Sequence, residues 1–375
     1  MTAAESIRRA PATDAPAVIG ALAATYAVIE LGKLIAGELD DALIGRELYI
    51  DARHHQQTVT RWTRNPNCRF DHLAREAAAL EPGSLRETLA RTEGGDTGAE
   101  LSVEGDLFVG APACRACGAT TPLFKLQSRV SASEMCCAEC GAPLTPAGFD
   151  LLDVLSATAV PPELLDAPLS RFGLRPRDIL SLEGTDGVEH FELTAPGAPV
   201  ARDGAEVILA GCGNIGSHLV AQLARLPGLR RVVLIDPDVY EAKNFSGQDI
   251  HPSDFGRAKV TVQAERLAAL APSLEIETWC EPLEAVPMGR FRGSIAVGAL
   301  DSRRARMDLN LRAHRVGIPW IDTAVHGAMM LCRIGVYAAG HDTPCIECGW
   351  NEDDYARLEQ RLPCVHAAEV SVDRP

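Results

Sequence analysis

Positive charge is scarce in this chain. Its 375 residues carry 36 Lys and Arg against 51 Asp and Glu, which gives a formal net charge of −15. Nucleic acids and anionic membranes attract basic surfaces, so this balance argues against a general role in binding either, although a local basic patch remains compatible with it. We therefore expect no nucleic acid and no membrane among the partners of this protein.

The sequence also lacks an uncharged apolar run long enough to cross a membrane. The nearest candidate, Ala15 to Gly37, is interrupted by Glu30 and Lys33, and neither a basic start nor a cleavage site precedes it. We predict instead a buried helix over Ala17–Ala36 that ends at Gly37. The sequence shows no signal-peptide pattern, internal repeat or long low-complexity segment, and we expect a cytoplasmic protein.

Cysteine, in contrast, is plentiful. The chain has 12 cysteines, several of them in C-x-x-C pairs, which favours metal binding in a reducing compartment over disulfides. An apolar content of 46% and a charged content of 23% are typical of a globular protein. The length allows two domains or one elaborated domain.

The stretch from Val207 to Asp236 has the pattern of a nucleotide-binding βαβ unit. A short apolar strand, Val207–Ala210, is followed by Gly211-Cys-Gly213-Asn-Ile-Gly216, then by a helical pattern, a second strand and Asp236. Glycines permit a tight turn and close approach of a phosphate, and a helix N-terminus offers free N–H groups to it. The acid lies where ribose hydroxyls are bound. This stretch alone would also fit a nicotinamide-dependent oxidoreductase.

Several features downstream follow in a characteristic order. Asp236-Pro-Asp238 leads to Asn244, then to Gly256-Arg-Ala-Lys259, and Asp301 follows the later apolar strand. In this order the residues resemble the ThiF/MoeB/HesA family, the activating enzymes of ubiquitin-like proteins and sulfur carriers. The resemblance covers Glu206 to about Ala368.

The resemblance implies an α/β fold with a Rossmann-like, mainly parallel sheet and helices on both faces. It implies ATP and Mg²⁺ as cofactors, with Asp236 on the ribose, Asn244 and Lys259 on the phosphates and Asp301 on Mg²⁺. A lysine charge and a carboxylate-held Mg²⁺ suit attack of a carboxylate on the α-phosphorus of ATP. The implied nucleotide contacts are Gly211, Gly213, Asn214, Gly216, Asp236, Asp238, Asn244, Lys259 and Asp301.

One departure from the family pattern bears on activity. The family usually reads N-x-x-R-Q where this chain reads Asn244-Phe-Ser-Gly247-Gln248, so a glycine replaces the phosphate-binding arginine. Arg257 and Arg303 are candidate substitutes. The alternative is a Rossmann-like domain that has lost activity and serves as a scaffold for a carrier protein.

Two C-x-x-C-G motifs predict a zinc ribbon. They are separated by about 19 residues, a spacing typical of such ribbons, and each turn directs two thiolates at one ion. Four thiolates make a closed structural site. The predicted ligands are Cys114, Cys117, Cys137 and Cys140.

The last segment contains another cysteine pair and a single cysteine. Cys345 and Cys348 resemble the first zinc pair of the family, and Cys364 resembles the reactive cysteine of its crossover loop. A thiolate at Cys364 would accept the activated acyl group as a thioester or carry sulfur. Some family members transfer without it, so Cys364 is also compatible with an ordinary loop residue.

The start of the chain resembles the C-terminal end of the family domain. A helix is followed by a predicted hairpin, Arg46–Asp51 and Gln57–Trp62, and then by Cys68 and His72. We predict that these two residues complete a Cys₃His zinc site with Cys345 and Cys348, with Asp71 as the weaker fourth ligand. Circular permutation explains this order most simply. The alternatives are a segment of a longer tandem protein, exchange of residues 1–75 between subunits, and a separate helix-hairpin module with Cys68 unpaired.

These patterns divide the chain into five parts. We predict that residues 1–75 complete the adenylation domain, 76–110 form a linker, 111–145 the ribbon, 146–200 a connection and 201–375 the nucleotide-binding domain. Within them, Leu73–Leu80, Leu85–Arg91 and the LLDVLSA run at 151–157 read as helical.

The function we predict is ATP-dependent adenylation of the C-terminal carboxylate of a ubiquitin-like or sulfur-carrier protein. Lys259, Asp301 and Cys364 are the predicted catalytic residues. We expect a homodimer, a carrier protein and a downstream acceptor protein as partners, and Zn²⁺ as a structural ion.

Overall fold

The computed structural model describes residues 15–92, 98–146, 148–195 and 204–359. The strands are β1 Arg46–Asp51, β2 Gln56–Arg61, β3 Ala78–Leu80, β4 Glu100–Ser102, β5 Phe108–Val109, β6 Lys125–Leu126, β7 Leu151–Leu152, β8 Leu155–Ser156, β9 Ile179–Gly184, β10 Gly187–Leu193, β11 Ala205–Ala210, β12 Leu229–Ile235, β13 Glu275–Trp279, β14 Ile295–Gly298, β15 Trp320–His326 and β16 Leu331–Tyr337. The helices are α1 Ala17–Ala36, α2 Leu85–Leu89, α3 Pro162–Leu165, α4 Asn214–Leu223, α5 Lys259–Leu270, α6 Arg303–Val316 and α7 Glu352–Glu359.

The chain forms two compact units. The first contains residues 15–75, 204–286 and 291–350. The second contains residues 76–92, 98–146, 148–195, 287–290 and 351–359. We call them the nucleotide unit and the ribbon unit.

An eight-stranded sheet of order β13-β12-β11-β14-β15-β16-β1-β2 organises the nucleotide unit. The first five strands of this order, from β13 through β11 to β15, are parallel to one another. The pairs β15–β16, β16–β1 and β1–β2 are antiparallel. The predicted hairpin is thus present, and its first strand extends the sheet beside β16. The order β13-β12-β11-β14-β15 has the 3-2-1-4-5 arrangement of doubly wound folds, counted from β11.

The helices cover both faces of this sheet, as the predicted fold class requires. Alternate strand residues such as Val207, Leu209 and Val232 join one hydrophobic cluster with α1, α4 and α5. The residues between them, such as Ile208 and Val233, are equally buried, and α6 packs on β14 and β15.

Helix α1 has the predicted bounds. Ala23, Ala24 and Ala27 are fully buried, so small side chains form its contact with α4 and the sheet. Gly37 ends it in the left-handed conformation, with φ 75°. It is the one helix in the described part of the chain that is long and apolar enough to cross a membrane, and its residues Ile19, Leu31 and Leu34 pack in the hydrophobic cluster of the sheet.

The charges within α1 are satisfied inside the protein. Glu30, 3% exposed, accepts a hydrogen bond from Lys33 at 2.6 Å and another from the backbone N–H of Leu43 at 2.7 Å. A buried carboxylate needs such partners, because its desolvation is costly. The pair therefore belongs to the packing of α1 against the segment before β1.

The ribbon unit contains a five-stranded sheet of order β3-β10-β9-β4-β8 and a three-stranded sheet of order β6-β5-β7. Leu80, Leu85, Leu89 and Leu101 lie in its hydrophobic core. Much of the range 76–110, which we expected to be a linker, therefore supplies strands and a helix to this unit. The LLDVLSA run forms the two short strands β7 and β8 instead of a helix.

Candidate nucleotide site and metal clusters

The glycine loop connects β11 to α4, and its first and last glycines have no room for a side chain. Gly211 has φ 96°, and a Cβ there would lie 2.4 Å from the backbone oxygen of Ala299. A Cβ on Gly216 would lie 2.0 Å from the backbone oxygen of Gly211. Both positions accept only glycine, and the loop leads into the N-terminus of α4, where free N–H groups bind phosphates.

Asp236 lies at the end of β12 beside this loop. Its carboxylate accepts hydrogen bonds from the backbone N–H groups of Cys212 at 2.7 Å and Asp238 at 2.9 Å. The residue is 6% exposed, and burial raises the pKa of its carboxyl. These contacts fix the position of the carboxylate next to the loop.

Lys259, the first residue of α5, meets the same acids. Its Nζ lies 2.8 Å from Oδ2 of Asp238 and 3.7 Å from Oδ1 of Asp236. Burial opposes the ammonium charge, but the attraction of Asp236 and Asp238 outweighs burial and raises the pKa of Lys259. A charged amine is thus available at the edge where the glycine loop opens.

Two buried residues that no sequence pattern indicated, Tyr240 and Gln263, support the glycine loop. Tyr240 is fully buried, and its hydroxyl donates to the backbone oxygen of Cys212 at 2.7 Å. Gln263 of α5 donates to the same hydroxyl at 2.8 Å. An aromatic residue four positions after Asp236, with its burial unknown, gave no signal of this role.

Asn244 and Asp301, two of the other predicted nucleotide contacts, have surroundings that differ from those of Asp236 and Lys259. The side-chain oxygen of Asn244 accepts a hydrogen bond from the backbone N–H of Glu241 at 2.8 Å and so caps a 3₁₀ turn. Asp301 is exposed in the loop between β14 and α6. Arg306 of α6 donates to the backbone oxygen of Leu300 and to both oxygens of Asp322, at 2.6 and 2.8 Å, which anchors the loop that carries Asp301.

The two candidate substitutes for the missing family arginine are Arg257 and Arg303. Arg257 is partly exposed and pairs with Glu265 at 2.6 Å and with Asp254 at 3.6 Å. Arg303 is exposed at the start of α6. Neither observation assigns a phosphate contact to these side chains.

Four potential metal ligands meet in the nucleotide unit, although 273 residues separate His72 from Cys345 in the chain. Nε2 of His72 lies 3.5 Å from the sulfur atoms of both Cys345 and Cys348, and the sulfur of Cys68 lies 3.8 Å from that of Cys345. All four ligand atoms fall within 4.8 Å of one another. We call this group the joining cluster, and its donor set of three thiols and one imidazole suits a zinc ion.

Neighbouring groups orient the imidazole of the joining cluster and favour the ionised form of one of its thiols. Nδ1 of His72 contacts the backbone oxygen of Thr343 at 3.0 Å, which orients Nε2 toward the sulfur atoms. The hydrogen bond from Cys345 lowers the pKa of Cys348 to about 5, and the backbone N–H of Asn65 contributes to this effect. Asp71, the weaker candidate ligand, accepts from Arg315 at 2.6 Å.

A second cluster, the ribbon cluster, lies in the ribbon unit. The sulfur of Cys114 is 3.6 Å from that of Cys140, and the same distance separates Cys117 from Cys137. In both C-x-x-C-G turns the glycine has a positive φ, and its N–H donates to the backbone oxygen of the first cysteine of the motif. Two such turns facing each other are able to hold one zinc ion.

Cys364, the predicted acceptor cysteine, lies outside the described residues.

The fold and this edge of the sheet define a nucleotide-binding α/β unit of Rossmann type. Residues 202–370 match the model of the ThiF family.

Named relatives match only parts of the chain. It is 26% identical over 148 residues to the SUMO-activating enzyme subunit uba-2 of Caenorhabditis elegans, across 38% of this chain and 25% of that protein. It is 23% identical over 132 residues to the NEDD8-activating enzyme E1 catalytic subunit of Saccharomyces cerevisiae, across 32% of this chain and 44% of that protein.

Solved structures give the same partial coverage. Escherichia coli MccB with ATP is 23% identical, with a TM-score of 0.34, over 42% of this chain and 47% of that one. E. coli tRNA N6-threonylcarbamoyladenosine dehydratase, TcdA, is 28% identical, with a TM-score of 0.28, over 32% of this chain and 51% of that one. The chain thus spans about half or less of the length of each of these four proteins.

Proposed function

We propose that this protein uses ATP to adenylate the C-terminal carboxylate of a ubiquitin-like or sulfur-carrier protein. The observation that carries this proposal is the placement of Lys259 between Asp236 and Asp238, beside the glycine loop of the segment that matches the ThiF family. A nicotinamide enzyme has no evident need for a charged lysine at this edge of the sheet.

The residues suit the charge changes of the reaction. An oxygen of the carrier carboxylate attacks the α-phosphorus of ATP, the bond from that phosphorus to the bridging oxygen breaks, and pyrophosphate leaves. Lys259 and the N–H groups at the start of α4 would offset negative charge as this occurs. The exposed carboxylate of Asp301 fits Mg²⁺, which binds through one or two carboxylates together with phosphates and would neutralise the triphosphate.

Carrier-dependent ATP–pyrophosphate exchange tests the proposal. Lys259→Ala and Asp301→Ala should each reduce the exchange rate by about 100-fold or more, because each removes a charged contact to the transition state. Lys243→Ala is a matched control, since its amine pairs with Glu241 at 2.8 Å on the exposed surface. Normal exchange in both site variants would overturn the assignment, and tight NADH binding without ATP binding would favour the oxidoreductase.

We propose a thioester on Cys364 as the second step. The thiolate would attack the acyl carbon of the adenylate, and AMP would leave. Wild-type protein with ATP and carrier should form a thiol-sensitive adduct that Cys364→Ala loses while it keeps pyrophosphate exchange. An adduct that survives this substitution would assign the role to another residue.

The second candidate function is a non-catalytic scaffold that binds the carrier protein. Gly247, at the position of the family arginine, is the observation that favours it. Intact-mass measurement after incubation with ATP and a panel of carriers separates the candidates. Carrier binding without adenylate or adduct would support the scaffold.

We also propose that the family domain is circularly permuted in this chain. The support is that α1 and the β1–β2 hairpin occupy the end of a sheet whose first parallel strand is β11, and that Cys68 and His72 meet Cys345 and Cys348. Subunit exchange predicts the same contacts between two chains. Refolding a mixture of Cys68→Ser and Cys345→Ser proteins would restore joining-cluster zinc only under exchange.

A homodimer and a cytoplasmic location remain part of the proposal. Sedimentation equilibrium would test the former and fractionation the latter.

A further inference from the structure

Asn214, the first residue of α4, makes unusual use of its side chain. Its Nδ2 donates to the backbone oxygen of Ala15 at 2.9 Å and to that of Gly247 at 2.5 Å. The first acceptor lies two residues before α1, and the second lies in the loop after β12 where the family arginine is missing. One amide therefore joins the glycine loop to two segments that are remote in sequence.

The start of α1 is shaped to admit this amide. A Cβ on Gly20 would lie 2.0 Å from Oδ1 and 2.8 Å from Cγ of Asn214, distances that real atoms do not reach. Gly20 is buried within the helix, where glycine is otherwise unfavourable by comparison with alanine. Gly32, the other glycine of α1, has no such constraint, since a Cβ there would meet only Leu226 at 3.6 Å.

We propose that Asn214 is a positioning residue that fixes the glycine loop against the entry of α1 and Gly247, and thereby sets the affinity for nucleotide. This inference rests on the proposed function, because it assumes that the loop binds ATP. In this arrangement the backbone N–H at the start of α4 would be free to bind a phosphate, while the side chain of the same residue holds the loop in place.

The physical reason lies in the composition of the loop. Glycines at 211, 213 and 216 provide no side chains to restrain it, and their backbone freedom makes an ordered loop entropically costly. A side chain fixed at two acceptors reduces the freedom that nucleotide binding would otherwise have to remove. By linkage, bound nucleotide must in turn stabilise the entry of α1 to the same extent.

The experiment compares Asn214→Ala, Gly20→Ala and Gly32→Ala in the full chain, with carrier-dependent pyrophosphate exchange and ATP binding as readouts. Asn214→Ala and Gly20→Ala should each raise the KM and Kd for ATP by about tenfold, the effect of losing roughly one good hydrogen bond. Their kcat should change by less than about threefold, because the charged groups that act on the transition state remain. Gly32→Ala should leave both constants unchanged and raise the melting temperature.

Hydrogen exchange provides a readout that a merely structural role would not change. In wild-type protein, ATP·Mg²⁺ should slow amide exchange at Ile19 and Gly20, whose N–H groups bond to the oxygen of Pro16. This protection should be lost in Asn214→Ala at an ATP concentration that saturates the variant.

The two substitutions should also be non-additive. In the Asn214→Ala background, the clash with Oδ1 and Cγ is gone, so Gly20→Ala should raise the Kd for ATP by far less than it does alone. Additive effects, or an unchanged Kd in Asn214→Ala, would overturn the inference. Failure of wild-type protein to bind ATP would instead overturn the proposed function, so the two failures are distinguishable.

Discussion

The joining cluster and the ribbon cluster have similar ligands but opposite construction. The outermost ribbon ligands, Cys114 and Cys140, are 26 positions apart, and Cys117 and Cys140 are exposed. The ligands of the joining cluster come from parts of the chain more than 270 residues apart, and His72, Cys345 and Cys348 are buried. A metal in the ribbon cluster would stabilise local turns, whereas one in the joining cluster would hold a whole sheet extension in place.

This difference teaches where metal binding contributes to folding. Closing a long loop costs more chain entropy than closing a short one, although the cost grows slowly with length. The greater distinction is what each site connects, because the joining cluster links the segment after β2 to the segment after β16. Its loss should therefore affect the nucleotide site, which the same sheet supports.

The largest effect should follow loss of the joining cluster. Cys68→Ser should reduce bound zinc from two ions to one and lower the free energy of unfolding of the nucleotide unit by several kcal/mol, because metal binding contributes to folding. Plasma emission spectroscopy gives the zinc content, and thermal unfolding with and without ATP gives the stability. Cys280→Ser, at an exposed cysteine of the same unit, is the control. Two zinc ions in Cys68→Ser would refute the joining site.

Loss of the ribbon cluster should have a smaller and more local effect. Cys117→Ser should also remove one zinc ion, but ATP binding should stay close to that of the wild type. Cys136→Ser is the control, since Cys136 is exposed beside the cluster and its sulfur contacts the backbone oxygen of Ala132 at 3.6 Å. Equal loss of ATP affinity in Cys117→Ser and Cys68→Ser would abolish the distinction between the clusters.

The clusters should also differ in the rate at which they release metal. A chelator reaches exposed thiolates sooner than buried ones, so zinc should leave wild-type protein in two phases, the ribbon ion first. Absorbance of a zinc-binding dye gives the phases, and pyrophosphate exchange sampled in parallel should fall with the slow one. A single phase, or activity that falls with the fast one, would contradict this expectation.

The same contrast shows what the sequence alone can predict. The ribbon motif is local, so the spacing of its cysteines is enough to predict that the four thiols lie together. The helix Ala17–Ala36 has clear bounds for a similar reason, since Gly37 ends its helical apolar pattern. Cys68 and His72, in contrast, were matched to Cys345 and Cys348 only through the family resemblance, because no local pattern relates residues so far apart.

Tertiary contacts explain the secondary structure that was predicted wrongly. The range Leu73–Leu80 reads as helical, but the backbone N–H of Arg75 bonds to the oxygen of Arg315, and Ala78–Leu80 pairs with β10 as a parallel strand. The local sequence contains no pattern that predicts these partners. The helix Leu85–Leu89 was predicted correctly, and it has a local signal in the capping box of Ser84 and Glu87.

The nucleotide site also contains residues that the sequence predicts and residues that it does not predict. The glycine loop, Asp236 and Lys259 follow a recognisable order along the chain and meet at one edge of the sheet. Tyr240 and Gln263 hold the glycine loop, and Arg306 anchors the loop that carries Asp301, through hydrogen bonds whose geometry depends on the finished fold. Supporting residues of this kind have no spacing rule, so they became evident only from the structure.

The smallest effect concerns the choice between His72 and its neighbour as the fourth ligand. Asp71 accepts hydrogen bonds from Arg315 at 2.6 and 3.1 Å and from the backbone N–H of Leu73 at 2.9 Å. Burial opposes its charge, but these donors outweigh burial and hold the pKa of Asp71 below its usual value. A depressed carboxyl pKa contributes stability above the unfolded value of about 4, and this contribution is lost as the pH falls through the folded pKa.

Asp71→Asn should therefore lower the free energy of unfolding at pH 7 by about 1 kcal/mol or less, since the carboxylate is 39% exposed and solvent screens the pair. The difference from wild type should shrink as the pH falls through the folded pKa of Asp71, and urea unfolding at several pH values would measure it. Because Asp71 is committed to Arg315, the variant should keep two zinc ions, whereas His72→Ala should lose the joining ion. Loss of zinc in Asp71→Asn with retention in His72→Ala would reverse the assignment and make the joining cluster a Cys₃Asp site.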